Sequence, residues 1–282
     1  MENISGFINL NKPAGMSSAA AVAKVKRATG MACGHMGTLD PLASGVLPVA
    51  LGNAARLFNY LLEKEKAYRA VFRFGMETDT LDAAGTVLRE GLPVPDEGEI
   101  RKVLPEFIGN IDQIPPAYSA KSVNGVRAYR LARQGAEVAL KAKNVRISEF
   151  SLAGGAEGEY TFFIRCGGGT YIRSLARDLA ARLGTAATMT SLVREKSGVF
   201  TLENSIGLDE LGKWREYLIL PDAVFEMPSL DFDGEDARKM KNGLSLPFAG
   251  KEGLYKLYFD DEFYGIAQAS EGRVRAKAKI CA

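Results

Sequence analysis

The sequence predicts an α+β fold in which a largely antiparallel, mixed sheet is followed by a small β-rich domain. Strand and helix patterns are both present, but they do not alternate as regularly as a doubly wound parallel sheet requires. The pattern breaks near Pro221 and Pro228, and only one short helical segment, residues 235–241, follows among several short strands. We therefore expect one large domain over residues 1–226 and a small one over residues 227–282.

The N-terminal residues indicate a strand, a turn and a helix in that order. Residues 7–10 are suited to a short strand, and residues 11–15 contain the proline and glycine of a turn. Either Ser17 or Ser18 can cap the helix that follows, and Gly30 can end it.

Two further strands are predicted by the alternation of side chains, over residues 68–74 and 160–166. The second strand runs into Gly167-Gly168-Gly169 and then into a helix that Gly184 ends. The glycine turn lacks the Gly-Lys-Ser/Thr ending of a phosphate-binding loop, so tight strand-to-helix packing is the simpler interpretation. The other predicted helices cover residues 56–62 and 97–107.

Composition is that of an ordinary globular protein, with 282 residues, 46% of them hydrophobic and 25% charged. The N-terminus has no basic segment followed by an apolar one, and no apolar run approaches the length of a membrane span. We therefore expect a cytoplasmic protein with no membrane association. Three cysteines that are far apart and a single histidine also predict no disulfide framework and no metal site.

Charge is distributed unevenly although the formal net charge is only +2. Seven basic residues against two acidic ones lie between Lys121 and Phe150. Near the C-terminus, basic residues alternate with apolar ones in a strand pattern. Such a strand suits either contact with RNA phosphates or an edge strand protected from aggregation, and the pattern leaves both open. Its basic residues are Arg273, Arg275, Lys277 and Lys279.

Several polar residues have ambiguous roles when each is considered alone. Asp40 precedes a proline in a glycine-containing segment and could simply form a turn. His35 lies in the same segment, where flanking glycines predict a surface loop. Tyr68 could be a core aromatic residue. Arg173 falls in the first turn of a predicted helix, where the helix dipole disfavours a cation, and this position suggests a nearby anion.

Considered together, seven segments of the chain resemble the TruB family of tRNA pseudouridine synthases, in the family's order. One of them contains Gly34-His35-Met36-Gly37-Thr38-Leu39-Asp40-Pro41. No single segment is specific, but the ordered set is. The segments are residues 11–18 (NKPAGMSS), 34–52, 66–69 (KAYR), 74–85 (FGMETDTLDAAG), 113–120 (QIPPAYSA), 169–173 (GTYIR) and 192–200 (LVREKSGVF).

The resemblance implies a catalytic role for three residues. Asp40 matches the essential aspartate of the family, and Arg173 matches the arginine that pairs with it. Tyr68 matches the tyrosine that stacks on the target base and is implicated in removing the C5 proton. The reaction transfers no atom to or from the substrate, so the resemblance implies no cofactor.

The resemblance also implies contacts with RNA. Tyr171 and Leu192 match residues that line the base pocket, and His35 matches the histidine that holds the refolded T-loop. Lys12 is expected to contact RNA as well. The chain departs from the family at Ser122, where a lysine is common. The C-terminal residues resemble a PUA-type RNA-binding module through residues 237–247 and 264–280.

These matches predict a monomeric enzyme that converts uridine to pseudouridine at T-loop position 55 of tRNA. Two alternatives remain open from the sequence. A non-enzymatic RNA chaperone of the same fold would need the basic surface but not the three catalytic residues. A carbohydrate hydrolase using Asp40 would need a second carboxylate as its acid, and Asp79 or Asp82 could be proposed for that role.

Overall fold

The computed structural model describes residues 4–62, 64–119, 122–123, 125–134, 136 and 140–280. Lys121, one of the two acidic residues of the basic segment (Glu137) and one of the three cysteines (Cys281) lie outside the described residues. The predicted basic segment that begins at Lys121 is therefore described only in part. Cys33 and Cys166 are free thiols.

Within the described residues, six α-helices are accompanied by four short 3-10 helices. The α-helices are α1 (Ser18–Thr29), α2 (Phe58–Leu62), α3 (Glu97–Val103), α4 (Ala128–Arg133), α5 (Ile172–Arg182) and α6 (Gly234–Lys241). The 3-10 helices are Gly52–Leu57, Leu104–Phe107, Asp209–Tyr217 and Pro221–Val224.

Thirteen strands lie before residue 202 and five after it, again within the described residues. The first group is β1 (Gly6–Lys12), β2 (Cys33–His35), β3 (Ser44–Leu51), β4 (Lys66–Phe74), β5 (Glu77–Thr78), β6 (Val87–Arg89), β7 (Gly109–Gln113), β8 (Ser122–Val123), β9 (Val126–Arg127), β10 (Lys143–Ala156), β11 (Glu159–Cys166), β12 (Ala187–Ser197) and β13 (Phe200–Thr201). The second group is β14 (Ser229–Phe232), β15 (Leu246–Pro247), β16 (Gly253–Phe259), β17 (Glu262–Ser270) and β18 (Arg273–Lys279).

The larger sheet has the order β1-β3-β12-β4-β11-β10-β7, with β2 beside β3 and β13 beside β12. Its neighbours pair antiparallel except β3 and β12, which run parallel. The predicted α+β class with a largely antiparallel, mixed sheet is therefore confirmed. Helix α5 covers this sheet and buries Leu175 and Leu179 completely.

Local sequence signals explain most helix and strand ends. Ser17 caps α1 by accepting a hydrogen bond from the Ala20 amide, and Gly30 ends the helix with a φ of 69°. Strand β4 buries every second residue, as its alternation predicts. The predicted helix over residues 97–107 changes to a 3-10 helix at Leu104, just before Pro105, which has no amide proton to donate.

The predicted turn over residues 11–15 is wrong for its first two residues. Asn11 and Lys12 extend strand β1, where they pair with Val46 and Gly45 of β3. The Asn11 amide also donates to the Ile206 carbonyl at 2.8 Å. Pairing with two distant segments thus outweighs the local turn preference, which takes effect only from Pro13 onward.

The C-terminal strands form a separate five-stranded sheet in the order β14-β16-β17-β18-β15. Strand β18 exposes Arg275 and buries Val274 completely, so its predicted alternation of basic and apolar faces is confirmed. One apolar cluster joins the two sheets, because Ile266 and Ile280 pack in the same group of buried residues as Phe7. The division at residues 226 and 227 remains a prediction.

No helix among the described residues is both long enough and apolar enough to cross a membrane.

Gly45 permits the close parallel approach of β3 and β12. Its φ is +97°, and a Cβ atom there would lie 2.3 Å from the carbonyl oxygen of Arg194 in the neighbouring strand. A side chain at this position would therefore strain the backbone and push the two strands apart.

We predict that Gly45→Ala lowers the free energy of unfolding by at least about 2 kcal/mol. Gly30→Ala is the matched control, because Gly30 also has a positive φ but no atom within 4 Å of a Cβ. The control should lose only about 1 kcal/mol. Urea denaturation measures both losses, and equal values would show that the strand contact at Gly45 is not restrictive.

Candidate active site

Asp40 lies in the loop between β2 and β3, and hydrogen bonds fix this loop on both sides of it. Ser18 Oγ donates to the Leu39 carbonyl and accepts from the Leu39 amide, each at 2.8 Å. On the other side, the Gly15 amide donates to the Pro41 carbonyl at 2.8 Å. The carboxylate is therefore presented from a backbone that the N-terminal segment holds in place.

Arg173 binds Asp40 through a two-point ion pair that includes one hydrogen bond, from Nη2 to Oδ1. Its Nε lies 2.9 Å from Asp40 Oδ2 and its Nη2 lies 3.0 Å from Asp40 Oδ1. The Arg173 side chain is 6% exposed, whereas that of Asp40 is 32% exposed. The anion that the position of Arg173 suggested is thus Asp40, and the accessible partner is the carboxylate.

The remaining donors of Arg173 are also used. Nη1 donates to the Thr80 carbonyl at 2.8 Å and Nη2 donates to the Tyr118 carbonyl at 3.1 Å. Nη1 also lies 3.5 Å from Asp82 Oδ2. These contacts fix the guanidinium so that it cannot turn away from Asp40.

Sequence reasoning considered Asp82 only as a possible hydrolytic acid and missed its contact with Arg173. Asp82 is buried, and its Oδ1 accepts hydrogen bonds from Thr80 Oγ1 and from the Ala84 amide. Asp82 therefore contacts both Arg173 and the turn from Thr80 to Ala84. The signal that could have indicated this role is an acidic residue inside a family-matched segment.

Burial raises the pKa of Asp40 above its ordinary value. The charge of Arg173 opposes this rise, the charge of Asp82 adds to it, and hydrogen bonds from Arg173 and the charge of Lys12 oppose it further. The net direction is upward because removing the carboxylate from water costs more than the nearby cations return.

A cavity of about 230 Å³ opens beside Asp40. This volume is below the roughly 300 to 1,000 Å³ typical of drug-sized ligands and suits a single base. Four of the predicted site residues besides Asp40 border it, so the structure brings together Asp40, Tyr68, Tyr171, Arg173 and Leu192. Its other lining residues are Gly37, Thr38, Leu39, Lys66, Tyr118, Ser119, Gly169, Thr170, Ile172 and Arg194.

The central strands supply the floor of this cavity and a loop supplies one wall. Tyr68 of β4 and Leu192 of β12 are both buried. Tyr171 lies just before α5, and Gln113 holds its backbone by accepting from the Tyr171 amide at 2.8 Å and donating to the carbonyl at 3.1 Å. Burial raises the pKa of Tyr68 to about 12, so its hydroxyl keeps its proton at neutral pH.

Sequence reasoning also missed two cations in the cavity wall, Arg194 and Lys66, which are 2% and 5% exposed. Burial, together with the charge of Arg194, lowers the pKa of Lys66 to about 8. The missed signal was their spacing. Arg194 is two residues from Leu192, and Lys66 is two residues from Tyr68, so each lies on the same face of its strand as a pocket residue.

Lys12 requires a correction, because the structure does not present it for contact with RNA. The side chain is fully buried, and its Nζ donates to the carbonyls of Pro13 and Met16 at 2.9 and 2.6 Å. It also reaches the Pro41 carbonyl at 3.5 Å. Lys12 therefore supports the loop that carries Asp40, and burial lowers its pKa to about 8.

His35 also differs from its predicted surroundings. It ends strand β2, where it pairs with Val49, and it is only partly exposed instead of lying in a surface loop. Burial lowers the pKa of His35, and the charge of Arg194 lowers it further. The imidazole is therefore neutral at pH 7, and it does not line the Asp40 cavity.

Among the described residues, no group of three or more His, Cys, Asp or Glu side chains is arranged to hold a metal ion.

Comparison with known proteins identifies the family. Residues 24–172, more than half of the chain, match the model of the N-terminal domain of TruB family pseudouridylate synthases. The chain is also 40% identical to the tRNA pseudouridine synthase B of Acaryochloris marina, over 98% of both chains. It belongs to the TruB family. A second TruB relative, tRNA pseudouridine synthase B of Synechocystis sp., is 43% identical over 86% of this chain and 85% of its own length.

A solved structure supports the same assignment. This TruB family chain aligns with a chain in the crystal structure of a Cbf5-Nop10-Gar1 complex with a TM-score of 0.72 and 25% identity. The alignment covers 98% of this chain and 85% of that one. The protein is thus a pseudouridylate synthase of the TruB family, as its sequence segments predicted.

We predict that Asp40 of this TruB enzyme titrates above its ordinary value of 3.8, because burial disfavours the charged form. Arg173→Met should raise the midpoint further, since it removes the charge that opposes the rise. NMR of protein labelled at the aspartate carboxyl carbon measures the midpoint, and Asp40→Asn assigns the signal.

Arg177→Met is the control for this titration. Arg177 lies on the same helix but pairs with Asp178, so its loss should leave the Asp40 midpoint unchanged. A midpoint that stays the same or falls in Arg173→Met would contradict the role given to Arg173.

Proposed function

We propose that this enzyme converts uridine to pseudouridine in the T-loop of tRNA, at the position that tRNA numbering calls 55. The observation that carries the proposal is the two-point binding of Asp40 by a buried arginine at the edge of a base-sized cavity. The curated relatives named above are both tRNA pseudouridine synthases, which supports tRNA as the substrate.

The isomerisation breaks the N1–C1′ bond, turns the uracil and joins its C5 to C1′. The C5 proton is lost and N1 gains a proton, so the atoms of substrate and product are the same. An ionised carboxylate can serve in two ways, by attacking C1′ or by removing a neighbouring sugar proton. Both routes require Asp40 in its charged form, which Arg173 favours through its charge and a hydrogen bond.

The target base must leave the stacked RNA loop before it can enter the cavity, at a cost of about a few kcal/mol. Stacking on the Tyr68 ring returns roughly 1 to 3 kcal/mol. The two values are similar, so contacts outside the cavity must supply the remaining affinity. Tyr68 can also relay the C5 proton, because its oxygen can accept that proton as its own hydroxyl proton is passed on, while Tyr171 and Leu192 enclose the base.

Contacts with the rest of the RNA are assigned to two regions. His35, which is neutral, would occupy the space that the extruded base leaves in the loop. The C-terminal sheet would act as a PUA-type module, with exposed Arg275 and Lys277 of β18 facing phosphates. We further propose that residues 227–282 form this module and that the enzyme acts as a monomer.

Asp40→Asn should abolish pseudouridine formation, because the amide can neither attack C1′ nor accept a proton. The dissociation constant for tRNA should change by less than about threefold, since the substitution removes a group needed only in the reaction. Chemical mapping of pseudouridine and filter binding measure the two effects. Asp209→Asn, an exposed aspartate remote from the cavity, should keep normal activity.

The two alternative functions predict different results for this enzyme. An RNA chaperone would keep its activity in Asp40→Asn. Normal pseudouridine formation in that variant would contradict the catalytic proposal. A hydrolase would release free base or free sugar from the RNA, which chromatography detects. Asp82 is buried and faces Arg173, which argues against its use as the second carboxylate of a hydrolase.

Substrate choice and pH dependence test the proposal further. An isolated T-stem-loop RNA should be modified at its position-55 uridine, whereas the same RNA with cytidine there should gain no pseudouridine. The single-turnover rate should fall as the pH drops through the raised pKa of Asp40, because protonation removes the reactive charge. Modification at another uridine of the loop would contradict the assigned site.

A further inference from the structure

Arg194 lines the base cavity, yet the reaction steps above give it no role. Its side chain is 2% exposed. It is the direct partner of Tyr68 across strands β12 and β4. Residues paired in this way project from the same face of an antiparallel sheet, so the guanidinium and the Tyr68 ring are neighbours at the cavity floor.

The guanidinium holds the start of the Asp40 loop. Nη2 donates to the Gly37 carbonyl at 3.0 Å, and Nη1 approaches the Thr38 carbonyl at 3.3 Å. Nε donates to the Val46 carbonyl at 2.7 Å, which anchors the same group to strand β3. The guanidinium reaches these three carbonyls with donors on three separate nitrogens in fixed directions, whereas a lysine has all of its donors on one nitrogen.

Arg194 also acts on the Tyr68 hydroxyl. Burial raises the pKa of Tyr68 to about 12, and the charge of the neighbouring guanidinium acts in the opposite direction. One buried side chain therefore holds the backbone just before the catalytic aspartate and lies beside the residue assigned to stack on the base.

An ordinary structural ion pair does not explain this arginine. Among the described residues, no carboxylate lies within 4.0 Å of its nitrogens. A buried charge without such a partner is costly, and an apolar side chain would fill the same space at lower cost. The burial of Arg194 without a carboxylate partner therefore favours a role that requires its guanidinium group.

We propose that Arg194 is a positioning residue for pseudouridine formation, which holds the Asp40 loop and the Tyr68 hydroxyl in their relative places. The inference rests on the proposed function, because it concerns the geometry of that reaction. Arg194 does not touch the reacting atoms, and it acts only through the two residues that it aligns.

The first experiment compares Arg194→Gln, Arg194→Lys and the control Arg182→Gln, whose arginine forms an exposed ion pair with Glu106. Arg194→Gln should lower the single-turnover rate by about 10²-fold, the scale expected for a misplaced catalytic group. Its dissociation constant for the T-stem-loop should stay within about threefold of the wild-type value. The control should match the wild type in both.

Arg194→Lys keeps the charge but cannot bind all three carbonyls, so its rate should recover only in part, to within about tenfold of the wild type. This variant also serves if Arg194→Gln fails to fold. Full activity in both variants, or a loss of rate that is matched by an equal loss of RNA affinity, would overturn the proposal.

A double-mutant cycle with Tyr68→Phe separates positioning from general destabilisation. If Arg194 acts partly through the Tyr68 hydroxyl, Arg194→Gln should reduce the rate less in the Tyr68→Phe background than in the wild type. Rate effects that simply multiply would show that the two side chains act independently and would contradict the role assigned through Tyr68.

Hydrogen exchange of the free protein tests the loop without any measurement of activity. Amides in residues 36–43 should exchange faster in Arg194→Gln and Arg194→Lys than in the wild type and in Arg182→Gln. Unchanged exchange would show that Arg194 does not hold the Asp40 loop. If wild-type protein made no pseudouridine while exchange rose as expected, the proposed function would fail and the loop contact would stand.

Discussion

The ion pair between buried Arg173 and Asp40 is the contact on which much of the surrounding structure depends. A guanidinium that is almost entirely enclosed must satisfy all of its donors. Two of them bind Asp40, and the others bind backbone near Thr80 and Tyr118. The loops that supply those carbonyls therefore converge on Arg173, and they form one side of the base cavity.

The sheet brings the two halves of the site together. Strand β3 follows the Asp40 loop directly, and its parallel contact with β12 at Gly45 places that loop above the cavity floor. Tyr68, Leu192 and Arg194 then form the floor from adjacent central strands. Ser18 and Lys12 support the loop from beneath, so rigid elements position every group assigned to the reaction.

Local patterns predicted local structure well, but they could not predict contacts between distant segments. The alternation over residues 68–74 and a helix cap at Ser17 or Ser18 depend on neighbouring residues alone, and both predictions were correct. Asp40 and Arg173 are 133 residues apart, so their pairing came only from the family resemblance. Arg194 was missed and Lys12 was misassigned because a charged side chain normally faces water, and nothing nearby in the sequence indicates otherwise.

The apolar cluster that joins the two sheets has a consequence for how the chain can be divided. Ile266 and Ile280 of the C-terminal part complete a core to which Phe7 and Leu57 also belong. Removing the C-terminal part would leave that side of the catalytic part with an open apolar face that favours self-association. The C-terminal part thus covers an apolar face of the rest of the chain, and the two parts are expected to unfold together in one cooperative transition.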